Sequence, residues 1–198
     1  APVSRYTSVA ETLEKVSQQN AASILSTSQI VDPEILEKVV KLMAQAKRID
    51  FYGVGPSYMV AEDAQIKCAR LKIPSAALCD RVAMLTNAKA FTEGTLAFLI
   101  SYTGETDDII EVAQELRKSK VPSVSLTSPR NNPVASLCSY NLNVDASESW
   151  DRLGGMSSRI SFLNLIDALF TALLNTNYEK YIGNMVDTCV NNRSGSVQ

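Results

Sequence analysis

Ser101, Thr103 and Thr106 set three hydroxyls around Gly104 in the run Ser101-Tyr102-Thr103-Gly104-Glu105-Thr106. Hydroxyls this close, on a turn that glycine lets bend sharply, can donate hydrogen bonds to the oxygens of an anion. The five residues before them, 96–100, are uninterruptedly apolar, the pattern of a strand covered on both faces in a parallel sheet. After them Ile109, Ile110, Ala113 and Leu116 recur at helical spacing. A hydroxyl-bearing turn between a buried strand and a helix start collects unpaired backbone N–H groups and the positive end of the helix dipole. No Lys or Arg lies in the turn, so it is not a Walker-type phosphate loop. A purely structural reading stands beside this one, with Thr106 as a helix N-cap and Gly104 as a turn residue.

The elements that must position such a turn follow from the rest of the chain. Residues 8–25 and the stretch opened by Asp32-Pro33 read as two amphipathic helices that precede any strand and must pack outside a sheet or on a partner. Residues 48–54 form a first strand ending in Gly53-Val54-Gly55-Pro56-Ser57, and Met59, Val60, Ala64, Ile66, Ala69 and Leu71 mark the apolar side of the next helix. Strand, glycine turn, hydroxyl and helix thus occur twice. Further strands are expected at 75–78, 96–101, 122–127 and 140–144, with helices between them and Asp80 as a cap. Such alternation predicts an open, mainly parallel sheet with helices on both faces, whose ligands bind at the carboxyl ends of the strands. Both hydroxyl turns fall there. Residues 146–155 are polar and hold Trp150, the composition of a functional loop, and the nearly all-round apolar run from Ile160 to Phe170 predicts a helix buried in a core or at a subunit interface.

The 198 residues suffice for one sizeable domain, and 45% hydrophobic with 20% charged residues is ordinary for a globular protein. A net charge of −2 without a dense basic run argues against electrostatic binding of nucleic acid by this chain. No signal peptide and no membrane-spanning run are expected. Cys68, Cys79, Cys138 and Cys189 are widely spaced and read as reduced thiols, three of them in apolar-periodic surroundings. There is no histidine, which removes the usual general acid–base and the commonest metal ligand.

Gly53-Val54-Gly55-Pro56-Ser57 resembles the G-x-G-x-S turn of sugar isomerase (SIS) domains, and residues 100–106 resemble their I-S-x-S-G-x-T phosphate loop with Thr103 in place of the second serine. Ser157-Ser158-Arg159 with Ile166-Asp167-Ala168-Leu169, and the Asp63/Lys67 spacing, are similar to the RpiR/MurR transcriptional regulators. The resemblance implies a three-layer α/β/α sandwich around a five-stranded parallel sheet of flavodoxin-like order. It also implies a connector helix over 1–30 following a helix-turn-helix domain that this chain lacks, a phosphosugar-binding domain over 31–190, and a tail over 191–198. It further implies a cytoplasmic homodimer or tetramer that senses a phosphorylated sugar effector and reaches DNA only through the missing domain. No cofactor, metal or membrane contact is expected. Ser57, Ser101, Thr103 and Thr106, with Gly55 and Gly104, would hold the phosphate. Glu105, Glu148 and Arg159 would meet the sugar, although a surface salt bridge or dimer contact stands beside that role for Glu148 and Arg159. The competing reading is an aldose–ketose isomerase of the same fold, disfavoured because such enzymes usually use a histidine to open the ring.

Overall fold

The computed structural model describes residues 8–145 and 156–190. Two helices come first. In α1 (Val9–Ile30), Ser8 caps the N–H of Glu11 while the Glu11 carboxylate returns to the Ser8 N–H, a reciprocal capping box. In α2 (Pro33–Gln45), Asp32 is the cap and Pro33 fills the first turn. The chain continues as β1 (Arg48–Gly53), α3 (Pro56–Arg70), β2 (Ser75–Leu78), α4 (Arg81–Lys89), β3 (Thr95–Ile100), α5 (Asp107–Lys118) and β4 (Ser123–Thr127), then α6 (Pro133–Leu137), β5 (Tyr140–Asn143), α7 (Met156–Thr176) and α8 (Tyr178–Asp187).

The five strands pair in parallel in the order β2-β1-β3-β4-β5. That is the flavodoxin-like order the resemblance implies. The chain leaves β1 toward β2 and returns to the other side at β3, so the connections diverge between β1 and β3. There Gly53 is in register with Ile100, which makes the two hydroxyl turns neighbours at the carboxyl edge of the sheet.

Strand alternation divides the core into two layers. Leu96, Phe98 and Ile100 of β3 pack with Ile49 and Phe51 of β1 against α2, α3 and α7. Ala97 and Leu99 point the other way, with Tyr52, onto α4 and α5. On this second face the buried Asp50 carboxylate takes 2.9 Å bonds from Arg48 Nε and Asn87 Nδ2 and a 3.0 Å bond from the Ala76 N–H, tying β1 to β2 and α4. A seam between α3 and α7 is ionic: Lys67 Nζ lies 2.5 Å from Asp63 and 3.0 Å from Asp167.

Several expectations change. In α3, Met59 and Ile66 are 57% and 59% exposed, while Val60, Ala61, Ala64 and Cys68 are buried; the helix turns a narrow, small-residue face to the sheet. In α1 the buried residues are Ser23 and Thr27, and Val9, Leu13 and Leu25 face outward, because the helix seats through hydroxyls rather than through its apolar stripe. By length and composition α7 could cross a bilayer, but Leu165, Ile166, Leu169 and Leu173 are buried in the sheet-facing core. Its opposite side carries exposed Asp167, Ala168 and Thr171, so it is not buried all round. All four cysteines are free, but Cys79 and Cys189 are exposed rather than packed.

Candidate functional site

β3 carries Ser101 to the rim of the sheet, where it is buried. Ser101 Oγ accepts the Gly104 N–H at 3.2 Å and stands 3.0 Å from Thr106 Oγ1. Thr106 occupies the N-cap position of α5, yet its side chain caps nothing and turns to Ser101 instead. The purely structural reading of Thr106 as a side-chain cap is therefore not realised. One hydroxyl proton is used between Ser101 and Thr106, leaving the closed pair one proton to give outward. Thr103 Oγ1 accepts the Glu105 N–H at 3.2 Å and keeps its own proton.

Gly104 has φ +64°, and a Cβ there would fall 1.9 Å from Asn132 Oδ1. Only glycine fits. Asn132 itself caps α6 through the Ala135 N–H at 2.8 Å, while its amide donates to Thr127 Oγ1 at 3.2 Å and to the Arg130 carbonyl at 2.9 Å. Two backbone bonds complete the brace: Ser128 N–H to the Tyr102 carbonyl at 2.7 Å and Val134 N–H to the Gly104 carbonyl at 3.2 Å. Sequence reasoning named none of Thr127, Ser128 and Asn132. The available signal was the Asn132-Pro133 cap at the end of the strand next to β3.

The two turns are unequal. In α3 the Ser57 and Tyr58 N–H groups bend back to the Val54 and Gly55 carbonyls at 3.3 and 3.0 Å, and Pro56 has no N–H. What α3 offers is the half-buried Ser57 hydroxyl, which bonds no other described residue. Gly55, at φ +59°, has open space around its α-carbon, whereas a Cβ on Gly53 would stand 2.8 Å from the Ser57 carbonyl group. In α5 the N–H groups of Thr106, Asp107 and Asp108 bond no other described residue. The backbone donors for an anion thus come from α5; an expectation that the N–H groups of Thr103 to Thr106 all serve it is corrected, because those of Gly104 and Glu105 bond Ser101 and Thr103 within the turn.

The rim is completed by α7. The Tyr102 ring meets Phe162 edge-on, with centroids 6.5 Å apart, which sets the first turns of α7 beside the turn after β3. Ser157 and Ser158 are buried there and Arg159 is half-buried. Glu105 is exposed at the turn, and Glu148 lies outside the described residues. The surrounding charge is acidic: Asp107 and Asp108 occupy the first turn of α5. Arg81 of α4 answers with a 2.5 Å bond to Glu111 and a 3.7 Å approach to Asp108. Among the described residues no His/Cys/Asp/Glu group is arranged to hold a metal ion.

The model of the SIS domain family matches residues 42–172. An HTH-type transcriptional regulator of Caldanaerobacter subterraneus is 36% identical over 89% of this chain and 62% of its own length. The HTH-type transcriptional regulator HexR of Pseudomonas aeruginosa is 33% identical over 80% of this chain and 55% of its own. The chain thus spans about three-fifths of these relatives. Among solved structures, the NanR protein of Vibrio vulnificus, complexed with ManNAc-6P, superposes with a TM-score of 0.84 at 27% identity, covering 89% of this chain and 66% of that one. The sugar isomerase domain of an RpiR transcription factor from Sphaerobacter thermophilus follows the same fold, with a TM-score of 0.78 at 17% identity over 88% of this chain and 96% of its own.

Proposed function

The chain belongs to the SIS-domain family, and from that premise we propose that it is the phosphosugar-sensing effector domain of an RpiR-family transcriptional regulator of sugar metabolism. The observation that carries this reading is the cradle at the divergence of the sheet. It unites the paired Ser101 and Thr106 hydroxyls, the Thr103 hydroxyl and the free N–H groups of α5, with the Ser57 hydroxyl on the adjoining turn. Phosphate oxygens accept from these donors, and each such charge-assisted bond contributes about 1.5–3 kcal/mol. Gly55 keeps its turn bare enough for a phosphate to approach, and Gly104 lets the second turn bend around the hydroxyls while admitting Asn132 behind it. The sugar faces Glu105, Glu148 and Arg159.

The regulator reading is supported by the names of the relatives and by the composition. Isomerisation needs a proton carrier and ring opening, and the chain has no histidine for the second task. DNA contact belongs to a segment outside residues 1–198, and the protein works in the cytoplasm as a homodimer or tetramer. Because the Vibrio vulnificus protein is complexed with ManNAc-6P, amino-sugar phosphates head the panel of ligands to test.

Phosphorylated hexoses, amino sugars and aldonates, each beside its unphosphorylated twin, are to be compared by thermal shift. A phosphosugar should raise the melting temperature at millimolar concentration by binding the folded state, and its free sugar should not. Equal stabilisation by both members of a pair would refute the phosphate cradle. Proton exchange at C2 of the bound sugar in heavy water would instead select the isomerase.

A further inference from the structure

The seat of α1 is unusual for a helix 22 residues long. Its buried side chains are the hydroxyls of Ser23 and Thr27, and the bonds of Thr27 and its half-buried neighbour Ser26 converge on one residue, Asp145, just beyond β5. Thr27, 1% exposed, accepts the Asp145 N–H at 3.1 Å and donates to the Asp145 carbonyl at 3.1 Å. Ser26 donates to the Asp145 carboxylate, and Ser161 of α7 donates to the same carbonyl at 3.2 Å. One turn earlier the Ser23 hydroxyl is buried without a partner. A helix held by a few hydroxyl bonds and little apolar burial is the kind of element that shifts as a unit.

Asp145 is also joined to the anion turn by successive hydrogen bonds. The N–H of its neighbour Val144 donates to the Thr127 carbonyl at 2.9 Å. The Thr127 hydroxyl accepts from Asn132, whose side chain fills the space against Gly104, and the Gly104 carbonyl accepts the Val134 N–H. Ser128, next to Thr127, donates to Tyr102 of the turn. Gly104, Asn132, the end of β4 and residues 144–145 thus form one continuous run of contacts and hydrogen bonds.

We propose that the clamp of Asp145 on Ser26 and Thr27 is a latch through which the state of the anion turn sets the seating of α1. The proposal deepens the sensing role and rests on it for the identity of the signal, because a regulatory domain needs an element with two positions that the ligand biases. The latch passes a displacement of the turn to the first helix of the domain without requiring the core to repack.

Hydrogen exchange of the whole chain tests this without a ligand first. Thr27→Val keeps the shape and removes both hydroxyl bonds, and should speed exchange of the amides at 23–30 by tenfold or more while leaving β3 unchanged. Asn132→Ala should speed the same amides severalfold in the wild-type background and have no further effect on them in Thr27→Val. Asn132→Asp, which keeps the cap but loses the amide donor to Thr127, serves if Asn132→Ala does not fold. Independent, additive effects, or α1 protection unchanged when residues 101–108 loosen, would overturn the latch. The second arm adds N-acetylmannosamine 6-phosphate and glucose 6-phosphate. Protection at 101–108 with a changed rate at 23–30, lost in Thr27→Val, is the expected result. Protection at 101–108 alone overturns the latch. No protection by either sugar phosphate counts against the sensing reading, and the variants then decide the latch by themselves.

Discussion

A hydroxyl has one proton to give, and the closeness of Ser101 to Thr106 makes that limit matter. Whichever residue is replaced with alanine, the remaining hydroxyl still has a proton to give outward, so the single variants should lose less affinity than half of what the double variant loses. Calorimetry on Ser101→Ala/Thr106→Ala should show phosphosugar affinity reduced by about tenfold or more, from the loss of the one outward bond the pair can give to a charged partner, with native circular dichroism. The thiols supply a second residue-scale prediction. Burial pushes Cys68 up to about 12 and Cys138 up to about 11. A thiol whose pKa is raised by folding contributes stability that is whole below its unfolded value, near 9, and is lost as pH climbs toward the folded value. Urea midpoints should therefore decline from pH 9 upward, and less steeply in Cys68→Ala. At pH 8 a disulfide reagent should find Cys79 and Cys189 quickly, the half-buried Cys138 more slowly and Cys68 only on unfolding. The hydroxyl turn was legible in sequence because its chemistry lies in consecutive residues. Asn132 was not, because nothing local ties it to Gly104, and only the pairing of β3 with β4 brings them together.

Elements are joined by two polar devices of different worth. The Lys67 cluster ties α3 to α7 at a half-exposed surface, where ion pairs contribute about 0.2–1 kcal/mol. Burial works against the Lys67 charge, but the hydrogen bonds to Asp63 and Asp167 outweigh it and hold the ammonium above its ordinary pKa. The Asp50 carboxylate is buried, and removing it takes the acceptor from the Ala76 N–H and Arg48 and leaves the Asn87 amide with only Tyr52. Chemical unfolding should rank them accordingly: Asp50→Ala loses about 2–4 kcal/mol, because buried partners are orphaned, and Lys67→Met less than about 1. The order of elements was readable from alternating strand and helix patterns, whereas Asp63 and Lys67 were named only through the resemblance and their ion pair was not read. Asp167 as the third member needed the packing of α7 on α3. The outward turn of Val9, Leu13, Met59 and Ile66 escaped the sequence, because periodicity records which residues share a face and not whether that face meets the core.

At the scale of the whole molecule, those outward apolar residues are the argument for self-association. Met59 and Ile66 stand seven residues apart on α3, two turns along one face, and α1 adds Val9 at 88% and Leu13 at 69% exposure. Light scattering at tens of micromolar should give a dimer or larger, and Met59→Glu/Ile66→Glu should weaken it; a wild-type monomer would remove this basis. The acidic setting of the cradle has a different consequence. Neither hydroxyl turn carries a cation, while Glu105, Asp107 and Asp108 stand around the second. Attraction of a phosphate by the turn itself is thus short-ranged and rests on directed donors, while the acidic side chains beside it are partly offset by Arg81 and Arg159. Added electrolyte shortens the reach of such charges, from about 10 Å at 0.1 M to about 3 Å at 1 M, and leaves contact hydrogen bonds in place. Affinity measured across an ionic-strength series should therefore stay flat or rise slightly, opposite in sign to a lysine- or arginine-lined phosphate pocket. The approach rate should likewise change little with salt, so that recognition of the phosphate rests on donors met at contact and not on attraction from a distance.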